Sequence, residues 1–402
     1  MSKTLSYVLV TPYTIAKSRT GGVLSRLLSR TDLELVGAQM FAPDVEFAEK
    51  YSQSLRDRAP QHQLVLLADY VKRHFVPSGG RPHRTLLLLF RGENPCEQLL
   101  NACGHLYTQH VEVDALAGET IRDTYSDLIF SADNPEEVRY FEPAVLTPRR
   151  QDEANNDLRM FADFLEGKEN IVQNVVYPDP SKIERTLVII KPDNWTHNSS
   201  RPGTIIDMFS RTGLRVIGIK VHRFSLSEAL DFYGPVETML KEKLAASFGK
   251  RAQELLEKEF GFSLSDGMKQ LLNNNLGAEC AQDQFHRIVE FMSGKRPNGH
   301  LVEGPKKLDD VKCMILVYEG ENAVNKIRDV LGSTDPLKAR EGTVRREFGS
   351  SVMVNTAHAS DSRESYEREK DIIKIDHNSL VSIIKDHDSL AGRVISKLKS
   401  LF

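Results

Sequence analysis

An internal repeat restricts the fold of this sequence more than any other feature. Residues 6–12 (SYVLVTP) align with residues 186–192 (TLVIIKP), and in both places an apolar helical pattern and a strand follow. A second apolar strand comes later in each copy, at residues 86–90 and 314–318, and each runs into Gly-Glu-Asn. Segments that recur in a fixed order indicate duplicated structural units. The sequence therefore predicts two copies of one fold.

Each copy reads strand, helix, strand, helix, strand, helix, strand. A third shared segment supports the repeat, at residues 118–122 (GETIR) and 341–345 (EGTVR). This order predicts an α/β (α+β) fold of the ferredoxin-like kind, with helices covering an antiparallel four-stranded sheet. Tandem copies of one fold often pack as a pseudo-dimer, and we expect that arrangement here.

The repeat divides the chain into four predicted parts. They are a first domain at 1–150, a linker with a helix at 151–182, a second domain at 183–376 and a C-terminal helix at 377–402. Residues 241–283 of the second domain have no counterpart in the first, and their helical patterns predict an insertion of two helices.

Apolar side chains at helical spacing predict that the linker helix docks on a domain and that the C-terminal helix packs on a domain or on a partner subunit. These side chains are Leu158, Phe161, Phe164 and Leu165 in the linker, and Leu380, Ile383, Ile384, Leu390, Val394, Leu398 and Leu401 in the tail.

Charge and cysteine content argue against several classes of function. The formal net charge is -3 over 402 residues, so no basic field favours nucleic acid as a partner. The four cysteines form no CxxC pair and no metal-ligand spacing, which predicts a reducing compartment, the cytoplasm. The N-terminal apolar run is broken by Pro12, and no stretch reaches the length of a membrane span. We therefore expect neither nucleic acid nor a membrane as a partner.

Residues 355–362 (NTAHASDS) are the stretch with the clearest chemical potential. The apolar run at 351–354 predicts a strand that leads into it, and Asp361 with Glu364 resembles a capping box that opens a helix. His358 is then expected on a strand-to-helix loop, beside a helix N-terminus that favours anions such as phosphate. Taken alone, a histidine on such a loop is usually an ordinary surface residue.

Four separated motifs now agree in order. They are Lys191-Pro192-Asp193, residues 331–336 (LGSTDP), residues 341–345 (EGTVR) and the stretch 355–362 around His358. With these motifs in register, the second half resembles the nucleoside diphosphate kinase family over nearly its whole length. The resemblance implies two tandem domains of that family's ferredoxin-like fold, the second with the full set of active-site residues.

The resemblance implies that His358 attacks the γ-phosphate of a nucleoside triphosphate such as ATP. The resulting phosphohistidine would then pass its phosphoryl group to a nucleoside diphosphate, a ping-pong reaction that maintains triphosphate pools. Imidazole suits this role because it is largely uncharged and nucleophilic at neutral pH. Glu369 matches the glutamate that holds the other ring nitrogen, Ser360 matches the serine beside the histidine, and Tyr233 matches a tyrosine near it.

Phosphoryl transfer depends on preorganised cations and hydrogen-bond donors, and the matching residues supply them. Lys191, Arg328, Thr334 and Arg345 match the family's phosphate ligands. Taken alone, Lys191 would be interpreted as a surface lysine, and Arg328 and Arg345 as solvated charges on a helix or a strand edge. Asn355 matches the residue that contacts the ribose, and Ile288 the apolar residue on the base. The aromatic residue that stacks on the base falls at Gln284 or Phe285. Mg²⁺ is the expected cofactor, held mainly by nucleotide phosphates and not by a carboxylate cage.

The sequence also departs from the family. The 241–283 insertion interrupts the helical hairpin that forms one wall of the nucleotide cleft. The first half has Thr11 at the lysine position and Leu100 opposite Arg328, and the chain after Arg122 contains no histidine loop. We interpret residues 1–150 as a degenerate copy that stabilises or regulates the second.

Two other functions fit parts of this pattern. A nucleotide-binding regulatory protein would share the phosphate ligands but would not need the nucleophile. A phosphohistidine donor to a protein acceptor would share the first step and differ in the acceptor. Nucleic-acid binding ranks last because of the charge balance. We expect a homo-oligomer, since members of this family form oligomers of several sizes.

Overall fold

The structure is a computed structural model that describes residues 3–58, 62–106, 118–134, 137–297 and 311–399, with side chains at all of these except 62, 63 and 390–399. It contains two compact units. The first comprises Met1–Val221, Met314–Glu367 and Lys374–Phe402, and the second His222–Cys313 and Arg368–Ile373. Among the described residues, no helix has the length and apolar character that a membrane span requires.

In the first half of the chain, the described residues form six strands and seven helices. The strands are β1 (Thr4–Val10), β2 (Glu34–Phe41), β3 (Thr85–Gly92), β4 (Asp127–Phe130), β5 (Val138–Glu142) and β6 (Val145–Leu146). The helices are α1 (Pro12–Ala16), α2 (Thr20–Arg30), α3 (Val45–Asp57), α4 (His62–His74), α5 (Pro95–Cys103), α6 (Ile121–Tyr125) and α7 (Gln151–Leu165).

The second half repeats this order with a longer helical region. Its strands are β7 (Ile183–Ile190), β8 (Arg215–His222), β9 (Cys313–Glu321) and β10 (Ala357–Ala359). Its helices are α8 (Arg201–Ser210), α9 (Leu226–Phe260), α10 (Asp266–Leu271), α11 (Ala278–Ser293), α12 (Ala323–Leu331), α13 (Val344–Phe348), α14 (Arg363–Ile373) and α15 (Leu380–Lys399).

Two four-stranded sheets with matching strand orders confirm the predicted repeat. The first sheet has the order β2-β3-β1-β6 and the second β8-β9-β7-β10. Every strand pair whose register is described is antiparallel. In β1, alternate residues enter different apolar clusters, Val8 in one and Leu9 in the other, as the two-residue period of a strand requires. Both faces of the first sheet are therefore covered.

The two halves share one apolar core, in which α2 packs on α8. This core contains Leu24 and Leu27 of α2 together with Ile205 and Phe209 of α8. The helices approach closely because both carry glycine at the crossing: a Cβ on Gly203 would lie 2.3 Å from the carbonyl oxygen of Gly21 and 2.3 Å from the amide of Ser25. The expected pseudo-dimer of halves is thus the arrangement found within the first unit.

The linker joins the edge strands of the two sheets. Ile171 forms an antiparallel bridge with Gly218 of β8, and the buried Asn170 accepts a hydrogen bond from Met40 N of β2 at 3.1 Å. The amphipathic helix α7 packs on the first sheet as predicted, with Leu158 and Phe161 buried.

The C-terminal helix α15 also packs on the first half. Leu380 and Ile384 belong to its apolar cluster, and Arg159 of α7 binds Asp388 at 2.7 Å. The side chains of Leu390, Val394 and Leu398 and the whole of Leu401, which we expected on the same face, lie outside the described residues.

The second unit is built on a long helical hairpin. α9 continues without a break from Leu226 to Phe260, and a π-helical turn at Leu272–Gly277 joins α10 to α11. The 241–283 region is helical as predicted, but it lengthens the hairpin and does not add two separate helices. The helices meet at Gly249 and Gly277, where a Cβ would collide with Asn273 and with the backbone of Ala245.

Candidate active site

His358 lies in the middle of β10, the edge strand of the second sheet. Its Cα pairs with that of Ile189 in β7, and the residue is half-buried. A tight turn precedes the strand: Ala357 N donates to Asn355 O at 2.8 Å, and Thr356 between them has a φ of 76°. The histidine is thus held by backbone pairing on one side and a strained turn on the other.

Lys191 follows the end of β7 beside this turn. Its Nζ donates to Asn355 Oδ1 at 2.6 Å, and the residue is buried. Burial and then the guanidinium charge of Arg345 lower the pKa of Lys191 to about 7, against the opposing effect of Asp193. A lysine with so low a pKa gains a proton readily when anionic oxygens approach it.

Asn355 connects Lys191 to Thr334. Its Nδ2 donates to Thr334 O at 3.0 Å while its Oδ1 accepts from the lysine. Asn355 is buried, and Thr334 is exposed in the loop after α12. This chain of contacts brings together three of the residues that the sequence motifs nominate.

Arg345 sits in the first turn of α13, where its guanidinium contacts two backbone carbonyls. Nε and Nη2 donate to Ala357 O at 3.3 and 3.1 Å, and Nη1 donates to Gly332 O at 3.1 Å. The side chain therefore ties the end of α12 to the start of β10, and it places a fixed positive charge near Lys191.

Arg328 and His358 both act electrostatically on Asp361. The pKa of Asp361 is lowered, first by a hydrogen bond from the Ser365 hydroxyl and then by the charges of Arg328 and His358, against the effect of burial. Arg328 is exposed on the last turn of α12. The arginine and the histidine thus lie within electrostatic reach of one carboxylate.

Ser360 continues the pairing of β10 with β7. Its amide donates to Leu187 O at 3.0 Å, and its Oγ accepts from Leu187 N at 3.3 Å. The residue is fully buried. These two contacts fix the backbone on the C-terminal side of His358.

Arg201, at the start of α8, contacts three segments around the site. Its Nη2 lies 3.1 Å from Asp193 Oδ2, 2.7 Å from Phe348 O and 2.7 Å from Thr356 Oγ1. Burial raises the pKa of Asp193, and the charges of Arg201 and Lys191 oppose that rise.

Comparison with known proteins identifies the family. A sequence profile described as nucleoside diphosphate kinase matches residues 282–376. A nucleoside diphosphate kinase of Nitratiruptor sp. is 30% identical over 187 residues, which are 46% of this chain and 92% of the relative. The chain belongs to the nucleoside diphosphate kinase family.

Other relatives carry the same description. A nucleoside diphosphate kinase of Delftia acidovorans is 33% identical over 183 residues, covering 46% of this chain and 86% of the relative. A crystal structure of the Aquifex aeolicus nucleoside diphosphate kinase aligns with 48% of this chain and 94% of its own, at 26% identity and a TM-score of 0.30.

The predicted strand before the family's histidine motif is wrong. Ser350 N and Ser351 N both donate to Val354 O, at 2.9 and 3.2 Å, so the chain turns there, and Val352 is 57% exposed. An apolar run becomes a strand only beside a strand that can pair with it, and β7 is reached at Ala357–Ala359. His358 therefore lies within a strand and not on a loop.

One further local prediction needs correction. The helix after His358 begins at Arg363, and Ser362 caps it by accepting a hydrogen bond from Ser365 N at 3.0 Å, so Asp361 is not the N-cap. The EGTVR motif lies at a helix start, where Thr343 is the N-cap of α13.

Four nominated residues belong to the second unit. Phe285 and Ile288 are on α11, Phe285 buried and Ile288 partly exposed. Tyr233 is buried on α9, with its ring centroid 5.0 Å from that of Phe232. Glu369 is buried on α14. Their roles toward a nucleotide of this family stay predictions.

The two positions left open for the stacking residue differ in exposure. Gln284 is partly exposed and Phe285 is buried on α11.

The first half repeats the backbone of this site with different side chains. Thr11 N donates to Ala144 O at 3.1 Å, as Lys191 N donates to Thr356 O at 2.9 Å. Arg122 donates to Gly104 O and Val145 O, the counterparts of the two carbonyls that Arg345 contacts. The sequence comparison that placed Thr11 at the lysine position therefore agrees with the structure.

The comparison that paired Leu100 with Arg328 agrees with the structure as well. Gly104 N donates to Leu100 O at 2.9 Å, and Gly332 N donates to Arg328 O at 3.0 Å. Leu100 and Arg328 therefore occupy equivalent positions, each in the last turn of its helix.

Sequence reasoning missed two residues of this site, Asn194 and Arg201. Asn194 donates to Thr356 O at 2.8 Å, and Arg201 contacts Thr356 Oγ1. Both interactions join residues more than 150 positions apart, so no local pattern marks them. The one available signal was Thr356 itself, a β-branched residue between the asparagine and the histidine of the motif.

Proposed function

We propose that this protein is a nucleoside diphosphate kinase, a phosphotransferase that moves the γ-phosphate of a nucleoside triphosphate to a nucleoside diphosphate through His358. The observation that carries the proposal is the placement of His358 on β10, three residues after Asn355, whose side chain accepts a hydrogen bond from Lys191. An imidazole nitrogen there meets the two requirements of a phosphocarrier, a fixed nucleophile and nearby cations.

The proposed transfer takes place in two half-reactions. A lone pair of the His358 imidazole forms a bond to the γ-phosphorus, and the bond from that phosphorus to the bridging oxygen breaks. The electron pair stays on the terminal phosphate oxygen of the departing diphosphate. In the second half-reaction, a terminal phosphate oxygen of an acceptor diphosphate attacks the phosphohistidine, and the histidine nitrogen leaves with its electron pair.

The phosphate chain is met by Lys191, Arg328 and Arg345, with the hydroxyl of Thr334. Lys191 gives one hydrogen bond to Asn355 and keeps two N–H donors for phosphate oxygens. Arg345 is anchored by backbone carbonyls, so its charge is preorganised before a nucleotide arrives. Asn355 is the proposed ribose contact.

The remaining roles follow the family motifs. In this proposal Glu369 takes the family role of orienting the histidine through its second ring nitrogen, and Tyr233 takes the role of the family's tyrosine. Ser360 fixes the strand that carries His358. On the base, Ile288 and either Phe285 or Gln284 provide an apolar surface. A base that packs on an apolar surface needs no base-specific hydrogen bonds, so such a surface suits nucleotides with different bases.

Mg²⁺ enters as part of the substrate, bound to the nucleotide phosphates. Within the described residues, no group of three or more His, Cys, Asp or Glu side chains could hold a metal ion. The cationic side chains at the site match phosphate oxygens and not a bare cation. Mg²⁺ would neutralise part of the charge that develops on the transferring group.

The first half is, in this proposal, a degenerate copy that stabilises the second. The boundaries 1–150, 151–182, 183–376 and 377–402 remain our proposed domain limits. The four cysteines are free, three of them buried, as befits a reducing compartment such as the cytoplasm. Association into a homo-oligomer also remains a proposal.

Labelling with γ-labelled ATP and Mg²⁺, followed by a chase with a different nucleoside diphosphate, tests the function. The comparison includes His358→Ala and a control, His197→Ala, which removes an exposed histidine from the loop before α8. We expect acid-labile, alkali-stable label on the wild type and on the control only, and its release as a new triphosphate.

Other results would favour the alternatives. Label that forms on His358 but passes to no nucleoside diphosphate would point to a protein acceptor. Nucleotide binding without any label would point to a regulatory protein, and it would refute the kinase proposal.

A further inference from the structure

Thr356 adopts a backbone conformation that its side chain disfavours. Its φ is 76°, and positive φ is a genuine outlier for a β-branched residue. The residue is fully buried, between Asn355, which binds Lys191, and the strand that carries His358. Strain of this kind persists only where the surroundings hold it in place.

Three donors converge on this residue. Lys191 N and Asn194 Nδ2 donate to Thr356 O at 2.9 and 2.8 Å. The third donor, Arg201 Nη2, reaches Thr356 Oγ1 at 2.7 Å. The backbone oxygen and the hydroxyl are therefore held by different segments, so the orientation of the whole residue is fixed.

Arg201 also joins the other pieces of the site. The same nitrogen contacts Asp193 in the turn after Lys191, and it contacts Phe348 O at the end of the helix that carries Arg345. The guanidinium stacks over the Phe348 ring, 5.6 Å from its centroid. One side chain thus links the segments that carry the lysine, the arginine and the histidine.

The first half supplies an internal comparison. Ala144 occupies the place of Thr356, with a φ of 55°, and its carbonyl accepts from Thr11 N and from Thr14 Oγ1. Alanine has no hydroxyl, so a side-chain contact of the Thr356 kind is impossible there. Arg19 donates to Tyr125 O at 2.9 Å, which corresponds to the contact between Arg201 and Phe348. The hydroxyl contact is therefore confined to the copy that has the histidine.

We propose that Arg201 and Thr356 form a positioning clamp for phosphorylation of His358. This inference rests on the proposed function. The clamp holds the strained turn so that Asn355 stays on Lys191 and the His358 ring stays in line with the γ-phosphate. Neither residue touches the transferred group, and both act through the backbone on either side of Asn355 and His358.

Single-turnover phosphorylation by saturating ATP tests the clamp. Thr356→Val removes the hydroxyl and keeps the β-branched shape, whereas Thr356→Ser keeps the hydroxyl. Arg201→Gln removes the guanidinium. We expect Arg201→Gln and Thr356→Val to slow phosphorylation ~10- to 100-fold, because a small misplacement of the reacting groups costs about that much. Thr356→Ser is expected within about threefold of the wild type, and the double variant no slower than the slower single variant.

Arg19→Gln is the matched control. It removes the equivalent arginine-to-carbonyl bond from the first half, and it is expected to leave the phosphorylation rate unchanged. Nucleotide affinity, measured separately by calorimetry, should change less than ~3-fold in the clamp variants, since the phosphate ligands remain.

Amide hydrogen exchange of residues 357–359 gives a readout that does not depend on catalysis. The clamp predicts faster exchange at these amides in Arg201→Gln and Thr356→Val, and no change there in Arg19→Gln. Wild-type phosphorylation rates in both clamp variants, or equal slowing by Arg19→Gln, would overturn the proposal. If the wild type takes no label, the proposed function is refuted, and unchanged exchange at residues 357–359 then refutes the clamp too.

Discussion

Leu146 in the first sheet occupies the position that His358 occupies in the second. Leu146 pairs with Leu9 of β1, and His358 pairs with Ile189 of β7, at the same register in each sheet. Leu146 is buried and belongs to an apolar cluster of the first half. Both halves thus have the strand pairing on which the proposed phosphocarrier site is built, but only the second half has a histidine at this position.

One nucleotide is expected to bind per chain. In the first half, the buried Thr11 stands at the lysine position and Leu100 at the position of Arg328, so two of the three cations that we propose as phosphate ligands are replaced by uncharged side chains. Calorimetric titration of the full chain with a nucleoside diphosphate should give a stoichiometry of about one. Two equivalent sites per chain would contradict this reading of the first half.

Nucleotide affinity should fall as pH rises above about 7, because of Lys191. Its pKa in the free protein is about 7, and phosphate favours the charged form, so binding raises that pKa. Above pH 7 binding must take up a proton, and affinity falls by up to about tenfold per pH unit. Below pH 7 the lysine is already charged and this dependence disappears.

Calorimetry at pH 8 in buffers of different ionisation heat measures this proton uptake. Lys191→Arg should abolish it, because arginine stays charged throughout this range. Uptake of the same size in Lys191→Arg would assign the proton to another group.

Substitution at the crossing of α2 and α8 should destabilise the fold. In Gly203→Ala, the new Cβ would lie 2.3 Å from backbone atoms of Gly21 and Ser25, so the two helices must separate. We expect a loss of ~1 to 3 kcal/mol in the free energy of unfolding. Gly234→Ala is the control, because a Cβ there meets nothing within 4 Å, and it should not destabilise. Urea denaturation compares the two, and equal stability of both variants would contradict the packing.

Arg122 and Arg345 form a matched pair that separates structure from binding. Each guanidinium contacts the carbonyl after a helix and a carbonyl of an edge strand, Gly104 and Val145 in one case and Gly332 and Ala357 in the other. Replacing either arginine by alanine leaves these acceptors without their donor and should cost ~2 to 4 kcal/mol of stability.

Only Arg345→Ala should also weaken nucleotide binding. Thermal unfolding and calorimetric titration of both variants make the comparison, under conditions where each is folded. An equal loss of affinity in Arg122→Ala would show that Arg345 acts through stability alone.

The repeated fold could be predicted from sequence because its signals are local. Apolar runs such as residues 86–90 and 314–318 lie within β3 and β9, and helix α7 shows its buried stripe directly in the spacing of Leu158 and Phe161. The charged and polar motifs around Lys191 and His358 could likewise be recognised, because each is a short continuous segment.

Other features depended on contacts that no local pattern records. β10 is three residues long and is a strand only because β7 lies beside it, so the more apolar residues 351–354 were the wrong choice. Leu146 could not be matched to His358 because the β4–β5 hairpin separates Arg122 from β6. The positive φ of Thr356 and its contact with Arg201 arise from tertiary structure alone.

Locating the phosphoryl group on the protein tests the central claim most directly. After brief incubation of the full chain with ATP and Mg²⁺, digestion at alkaline pH and mass spectrometry of the peptides should place a single phosphoryl group on His358. The His358→Ala variant should carry none. Phosphate on any other residue in place of His358, or an unmodified His358 while nucleotide exchange proceeds, would contradict the proposed mechanism.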